Sequence, residues 1–201
     1  MSAQLVLVPG LWMPGAAMGI LGARLARHGY RVRTFGYRAR APYQANMEAL
    51  ARFADGQAFF VGHSLGGVLI LDMLNRHPEM QARAVVLLGA PVRGCLAGRR
   101  FGSASVGRWM MGASRELWEE RPARWSHRAP LGVVAGTTPF GLGRMVGGRL
   151  PGLNDGVVCV DETTVEGMTA RALIAQGHSM LILSGQVSEL VHRFCSSGKF
   201  E

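Results

Sequence analysis

Lysine is almost missing from this chain: it occurs once, at Lys199, against 21 arginines. Cysteine is scarce too, with Cys95, Cys159 and Cys195 far apart and no Cys-x-x-Cys pair. Three separated cysteines make neither a disulfide framework nor a zinc knuckle, and the reading is reduced thiols in the cytoplasm. No apolar stretch approaches the roughly 18 residues of a membrane span, because Gly, Arg or His breaks every run. No basic segment precedes Leu5-Val6-Leu7-Val8, so the N-terminus reads as a strand and not as a signal peptide.

What is present suits a globular core. The chain has 201 residues, 48% of them apolar, and a mean hydropathy of +0.15. A chain of this size hides roughly 70% of the surface its unfolded form exposes, so one domain over residues 1–201 is expected to fold without staples. The net charge of +9 raises contact with an anionic membrane or nucleic acid. The arginines are scattered, however, and the charge reads first as soluble surface; peripheral membrane contact stays open and nucleic acid is disfavoured.

Short apolar runs recur at Leu5 to Val8, Val32 to Phe35, Ala58 to Val61, Ala84 to Leu88, Gly132 to Ala135 and Ala172 to Ala175. Continuous runs point to strands covered on both sides, as in a parallel sheet. Helical patterns lie between them: Ala16 to His28, Tyr43 to Ala54, Leu65 to Arg76, one within Phe101 to Glu120, and Met180 to Phe194. The alternation predicts a doubly wound α/β fold, a single mostly parallel sheet of about six strands with helices on both faces. The irregular part is Pro91 to Pro151, read as loops and a helix on the same domain.

Gly62-His63-Ser64-Leu65-Gly66-Gly67 matches G-x-S-x-G. With 28 glycines and 11 serines a bare match arises in roughly 0.2 of such sequences, so its context decides. The match follows the apolar run Ala58-Phe59-Phe60-Val61 and opens the apolar run Val68 to Leu74, the strand, turn and helix that a nucleophilic serine requires. Glycines on either side remove side chains that would strike neighbouring backbone, and the helix start turns free N–H groups toward a developing oxyanion. The plainer alternative is a glycine-rich turn whose serine caps the helix.

The chain resembles the α/β-hydrolases, in particular small bacterial lipases and esterases with a minimal cap, over nearly its whole length from Leu5 to Phe194. The resemblance implies that an acid and then a histidine follow Ser64. His178, in Gln176-Gly177-His178-Ser179, stands after the last strand, where such enzymes carry the base. His77 ends the helix that Ser64 opens, His127 lies in an Arg-rich stretch, and His192 falls inside the last helix. Among the acids, Asp72 points away along the helix after Ser64, and Asp161 reads as the cap of a short helix. Asp155, in Asn154-Asp155-Gly156-Val157-Val158, resembles the segment that carries the acid in related lipases; a simple turn is the alternative. The oxyanion donors implied are the backbone N–H groups of Leu65 and of Leu11, the latter in the loop Val8 to Gly15. Relatives commonly carry His-Gly where this chain has Pro9-Gly10, a change that leaves the donor at Leu11 in place.

The expected activity is therefore a serine hydrolase acting on carboxylic esters through an acyl-enzyme, with Trp12 and Met13 lining the substrate and no metal or cofactor. The substrate expected is a small-molecule or lipid ester. An acyltransferase or thioesterase with the same triad is the alternative, and a non-catalytic membrane or nucleic-acid binder is the third. Residues 99–128 carry Trp109, Trp118 and Trp125 among seven arginines, with Met110, Met111 and Leu117 at near-helical spacing. They read either as a flap that meets lipid or as an ordinary surface helix. The glycine-rich Gly136 to Arg144 lacks the lysine of a phosphate loop and reads as a loop bordering the site.

Overall fold

Alternate residues of the central strands face opposite ways, and in this chain both sets are apolar. In a computed structural model, Val6, Phe60, Val85, Leu87 and Val133 join one core cluster, while Leu5, Leu7, Phe59, Val61, Val86 and Val134 join another. Each large side chain fully removed from water contributes about 1.5–3 kcal/mol before its ordering cost. That is the force that holds helices on both faces. The structure describes residues 3–11, 13–38, 41–54, 56–103, 105, 107, 109, 117–140 and 149–201.

The strands are β1 (Gln4–Val8), β2 (Arg31–Thr34), β3 (Ala58–His63), β4 (Ala82–Leu88), β5 (Leu131–Gly136) and β6 (Ala170–Ile174), all parallel, in the order β2-β1-β3-β4-β5-β6. Helices α1 (Gly19–Arg27) and α5 (Gly185–Ser197) cover one face through Leu21, Leu25, Val187, Val191 and Phe194. Helices α2 (Tyr43–Phe53) and α3 (Leu65–Arg76) cover the other through Met47, Leu50, Leu69 and Met73. From β1 the chain passes outward to β2, then crosses back to β3 and runs the other way. The crevice between the C-terminal ends of β1 and β3 is thus the switch point of the sheet, where open α/β folds bind ligands.

Four expectations are corrected. The edge strands are not covered on both sides: Arg31 and Thr34 in β2, and Arg171 and Leu173 in β6, are exposed. The helix sought within Phe101 to Glu120 instead starts earlier, as α4 (Leu96–Ser103). The last helix starts at Gly185, capped by Ser184, whose side chain accepts from the Val187 N–H at 3.3 Å. The short 3-10 turn Val160–Thr163 is capped by Cys159 together with Glu162, so Asp161 lies within its first turn.

Trp118 and Trp125 are buried, while Trp109 is 67% exposed. Trp118 packs against α4, where a Cβ on Gly98 would fall 1.9 Å from its ring, and the Trp125 indole N–H donates to the Ala129 carbonyl. Met110 and Met111 lie outside the described residues. The three cysteines are free and buried, and burial pushes the Cys95 and Cys195 thiols up to about 12. Among the described residues no helix is long and apolar enough to cross a membrane.

Candidate active site

Ser64 is the single residue between β3 and α3. Its backbone has φ 52° and ψ −128°, and among the described residues it alone, apart from glycines, has a positive φ. That conformation costs an L-residue about 1–3 kcal/mol and persists only where its surroundings impose it. They do so here. The Ser64 N–H donates to the Leu88 carbonyl of β4 at 2.9 Å, and the Gly67 N–H closes the turn on the Ser64 carbonyl at 2.9 Å. A Cβ on Gly62 would sit 2.5 Å from the Gly67 Cα, and one on Gly66 would sit 2.3 Å from the Pro9 carbonyl oxygen. Only glycine lets the strand, the turn and the loop after β1 approach this closely. Ser64 is 8% exposed, with its hydroxyl-bearing turn at the switch-point crevice.

The other two residues expected at the site meet each other. His178 opens a 3-10 turn after β6, and its Nδ1 lies 2.7 Å from Asp155 Oδ2. The second carboxylate oxygen accepts from the N–H groups of Val157 at 3.0 Å and Val158 at 2.7 Å. The His178 N–H donates to the Asp155 carbonyl at 2.9 Å, so the two loops are joined by backbone as well as by side chains. Asp155 is 1% exposed, and a carboxylate this deep is sustained by charge-assisted donors on both oxygens. Because the carboxylate accepts, Nδ1 is the donor, which in the neutral ring leaves the lone pair on Nε2.

Leu65 is the first residue of α3 and is buried, so its N–H belongs to the unpaired first turn of that helix. Leu11 is half-buried in the loop after β1 and packs on the cluster that holds Leu65. That loop lies against the serine: a Cβ on Gly10 would be 3.1 Å from the Ser64 Cβ. Met13 is half-buried against the α1 and α5 face of the core, and Trp12 lies outside the described residues. The end of β5 borders the acid, since a Cβ on Gly136 would meet the Asp155 Cβ at 2.8 Å, and the loop after it passes the acid's neighbour, since a Cβ on Gly156 would be 2.8 Å from the Phe140 carbonyl oxygen; residues 141–148 lie outside the described set.

The remaining candidates are engaged elsewhere. Asp72 accepts two bonds from the Arg121 guanidinium and one from the Tyr43 hydroxyl. His77 pairs with Glu79, His127 contacts the Met80 carbonyl, and His192 stacks on His28. Two groups escaped the sequence reading. Glu162 accepts from the N–H groups of Leu96 and Cys159, tying the start of α4 to the loop beyond Asp155. His63, at the last position of β3, is 1% exposed and reaches the His178 carbonyl through Nε2 at 3.0 Å. Its position inside the motif was a usable signal, because β3 is buried along its whole length.

A model of the alpha/beta hydrolase family matches residues 5–185, and the chain belongs to that family. A protein of Mycobacterium phage D29 with a provisional non-heme haloperoxidase name is 30% identical over 98 residues. That alignment covers 42% of this chain and 35% of the relative, so it spans about a third of the relative's length. Among solved structures, a pyrethroid hydrolase from Sphingobium faniae superposes with a TM-score of 0.62 at 14% identity, covering 98% of each chain. A structure from work on carboxylesterases of the thaumarchaeon Nitrososphaera gargenis gives 0.63 at 12% identity, covering 97% of this chain and 90% of that one. These likenesses carry the fold, and together with the family they support a hydrolase.

Proposed function

We propose that the protein is a serine hydrolase that cleaves carboxylic esters, of a small molecule or a lipid, through an acyl-enzyme on Ser64. The observation that carries this is the buried Asp155–His178 pair at 2.7 Å, in the same molecule as a serine held at φ 52° on a strand-to-helix turn. His178 Nε2 takes the Ser64 proton as the hydroxyl oxygen attacks the acyl carbonyl, and the imidazolium that forms is stabilised by the Asp155 carboxylate. The carbonyl oxygen gains its charge where the N–H groups of Leu65 and Leu11 receive it. Return of the proton to the leaving alcohol leaves the acyl group on Ser64 Oγ, and water activated by His178 then releases the acid. Met13 flanks the acyl group in this reading.

The test is labelling with a fluorophosphonate probe, together with turnover of p-nitrophenyl esters of graded chain length. The wild type should label stoichiometrically, Ser64→Ala should not label, and His178→Ala should slow turnover by roughly 10³-fold or more. Competing alcohol and thiol acceptors in the same assay separate hydrolysis from acyl transfer. A folded wild type that neither labels nor turns over any ester would overturn the reading.

A further inference from the structure

His63 presents an arrangement that the reaction just proposed does not use. Its ring is buried in the last position of β3, directly before Ser64, and its centroid lies 4.7 Å from that of His178 at an interplanar angle of 46°. Nε2 is 3.0 Å from the His178 carbonyl oxygen, across 115 positions of sequence. A carbonyl only accepts, so Nε2 carries the proton and Nδ1 is a bare acceptor. Nδ1 has no partner among the described residues and abuts Gly10, whose Cβ, if present, would be 3.2 Å away. One ring, carried by the residue before the serine, therefore meets both the backbone of the base loop and the loop after β1.

We infer that His63 is a positioning residue: its Nε2–H holds the His178 carbonyl, and so fixes the imidazole of His178 relative to Ser64 independently of any contact between those two side chains. The inference rests on the roles proposed for Ser64 and His178. Besides the Leu181 N–H, which donates to its carbonyl at 3.4 Å within its own turn, the His178 backbone has two ties to other segments, its N–H to the Asp155 carbonyl in the acid loop and its carbonyl to His63 at the end of β3. The first secures the base to its acid. The second secures it to the strand that carries the serine. Without it the pair of Asp155 and His178 can shift as one body, and displacement of about 1 Å in such a constellation costs on the order of 10²-fold in rate.

The ring must also stay neutral to serve this purpose. The titratable groups facing it are His178 and Asp155, and burial, followed by the charge of His178, lowers the His63 pKa to about 3. A neutral ring donates to the carbonyl without opposing the positive charge that develops on His178 during attack.

The test compares His63→Phe, which keeps the ring and deletes the donor, with His63→Gln, whose amide N–H reaches a similar position. Rates are normalised to the number of sites that a fluorophosphonate titrates, so loss of folded protein does not count as loss of rate. His63→Phe should lower kcat by roughly 10–100-fold while KM stays within about threefold, and His63→Gln should recover most of that loss. A purely structural role would lower the number of titrated sites and leave kcat per site unchanged, and that result overturns the inference. If Ser64→Ala retained full turnover, the serine reading would fail first and take the inference with it. Where His63→Phe does not fold, nitrogen NMR of the wild-type imidazoles decides: a neutral His63 ring protonated at Nε2 supports the tie, and protonation at Nδ1 refutes it.

Discussion

Replacing Asp155 by Asn or by Ala separates the chemical role of this carboxylate from its structural one. Asn keeps an oxygen for the Val157 and Val158 N–H groups, now 3.0 and 2.7 Å from Oδ1, but turns an amide N–H₂ toward His178 Nδ1. Two donors cannot share that 2.7 Å contact, so the imidazole moves its proton to Nε2, where it no longer accepts from Ser64. The expected loss in kcat/KM is on the order of 10⁴-fold, about 5 kcal/mol of transition-state stabilisation, with folding changed by less than about 1 kcal/mol. Ala removes the chemistry as well, but it also leaves a buried N–H at Val158 and a part-buried one at Val157 without acceptors, at about 1–3 kcal/mol each. Asp155→Ala should therefore be about 2–6 kcal/mol less stable than the wild type while being no less impaired than Asp155→Asn. The assay is kcat/KM on p-nitrophenyl butyrate beside urea unfolding of all three proteins. Asn retaining activity within tenfold of wild type would show that Asp155 does not set the tautomer of His178. Equal stability of the Ala and Asn variants would show that the two backbone bonds are not where the carboxylate stabilises the fold.

Two further outcomes follow from the same geometry. Ser64 holds φ 52° at a cost that glycine escapes, so Ser64→Gly should exceed Ser64→Ala in stability by about 1 kcal/mol after allowing for the greater freedom of unfolded glycine, or roughly 2–4 °C in Tm for a chain of this size; an Ala variant that melts as high as Gly would refute the strain. His63 has a folded pKa of about 3 against an ordinary 6.5, so the unfolded chain binds its proton first and stability falls as pH drops from about 6.5 toward 3. Between pH 6 and pH 4 that contribution is about 2–3 kcal/mol, and urea midpoints should fall more steeply for the wild type than for His63→Gln; parallel slopes would show that His63 is not held neutral.

The central strands were legible because the doubly covered part of a strand must be apolar, and Leu5 to Val8 of β1, Ala58 to Gly62 of β3, Ala84 to Leu88 of β4 and all of β5 obey that demand. Edge strands are under no such demand, which is why β2 carries Arg31 and Arg33 and β6 carries Arg171. Helix α3 was read at its true bounds, since the glycines of the turn and Pro78 mark both ends locally. Helix α4 was not, because its first N–H is received by Glu162, 66 positions away, and no local cap announces it. The start of α5 was misplaced for a similar reason: Leu181 and Ile182 are apolar through burial in the core beside a 3-10 turn, not through membership of the helix.

The residues of the proposed site were legible one at a time; what could not be read was how they are held. Ser64 hangs from β4 by its N–H, His63 holds the His178 carbonyl, the His178 N–H holds the Asp155 carbonyl, and Asp155 is fastened to the backbone of its own loop. Most of these ties use backbone groups, which every residue type supplies, so the sequence gives them no distinctive letter. They have a consequence for the edges of the sheet. The network is anchored on β3 and β4 and on the loops beyond β5 and β6, with the loop after β1 laid across the serine. β2 contributes none of its members. A perturbation confined to the outer edge of β2, such as Arg31→Gln, leaves every tie in this network intact, whereas disturbance at the C-terminal end of β6 reaches His178 directly through the short turn that carries it.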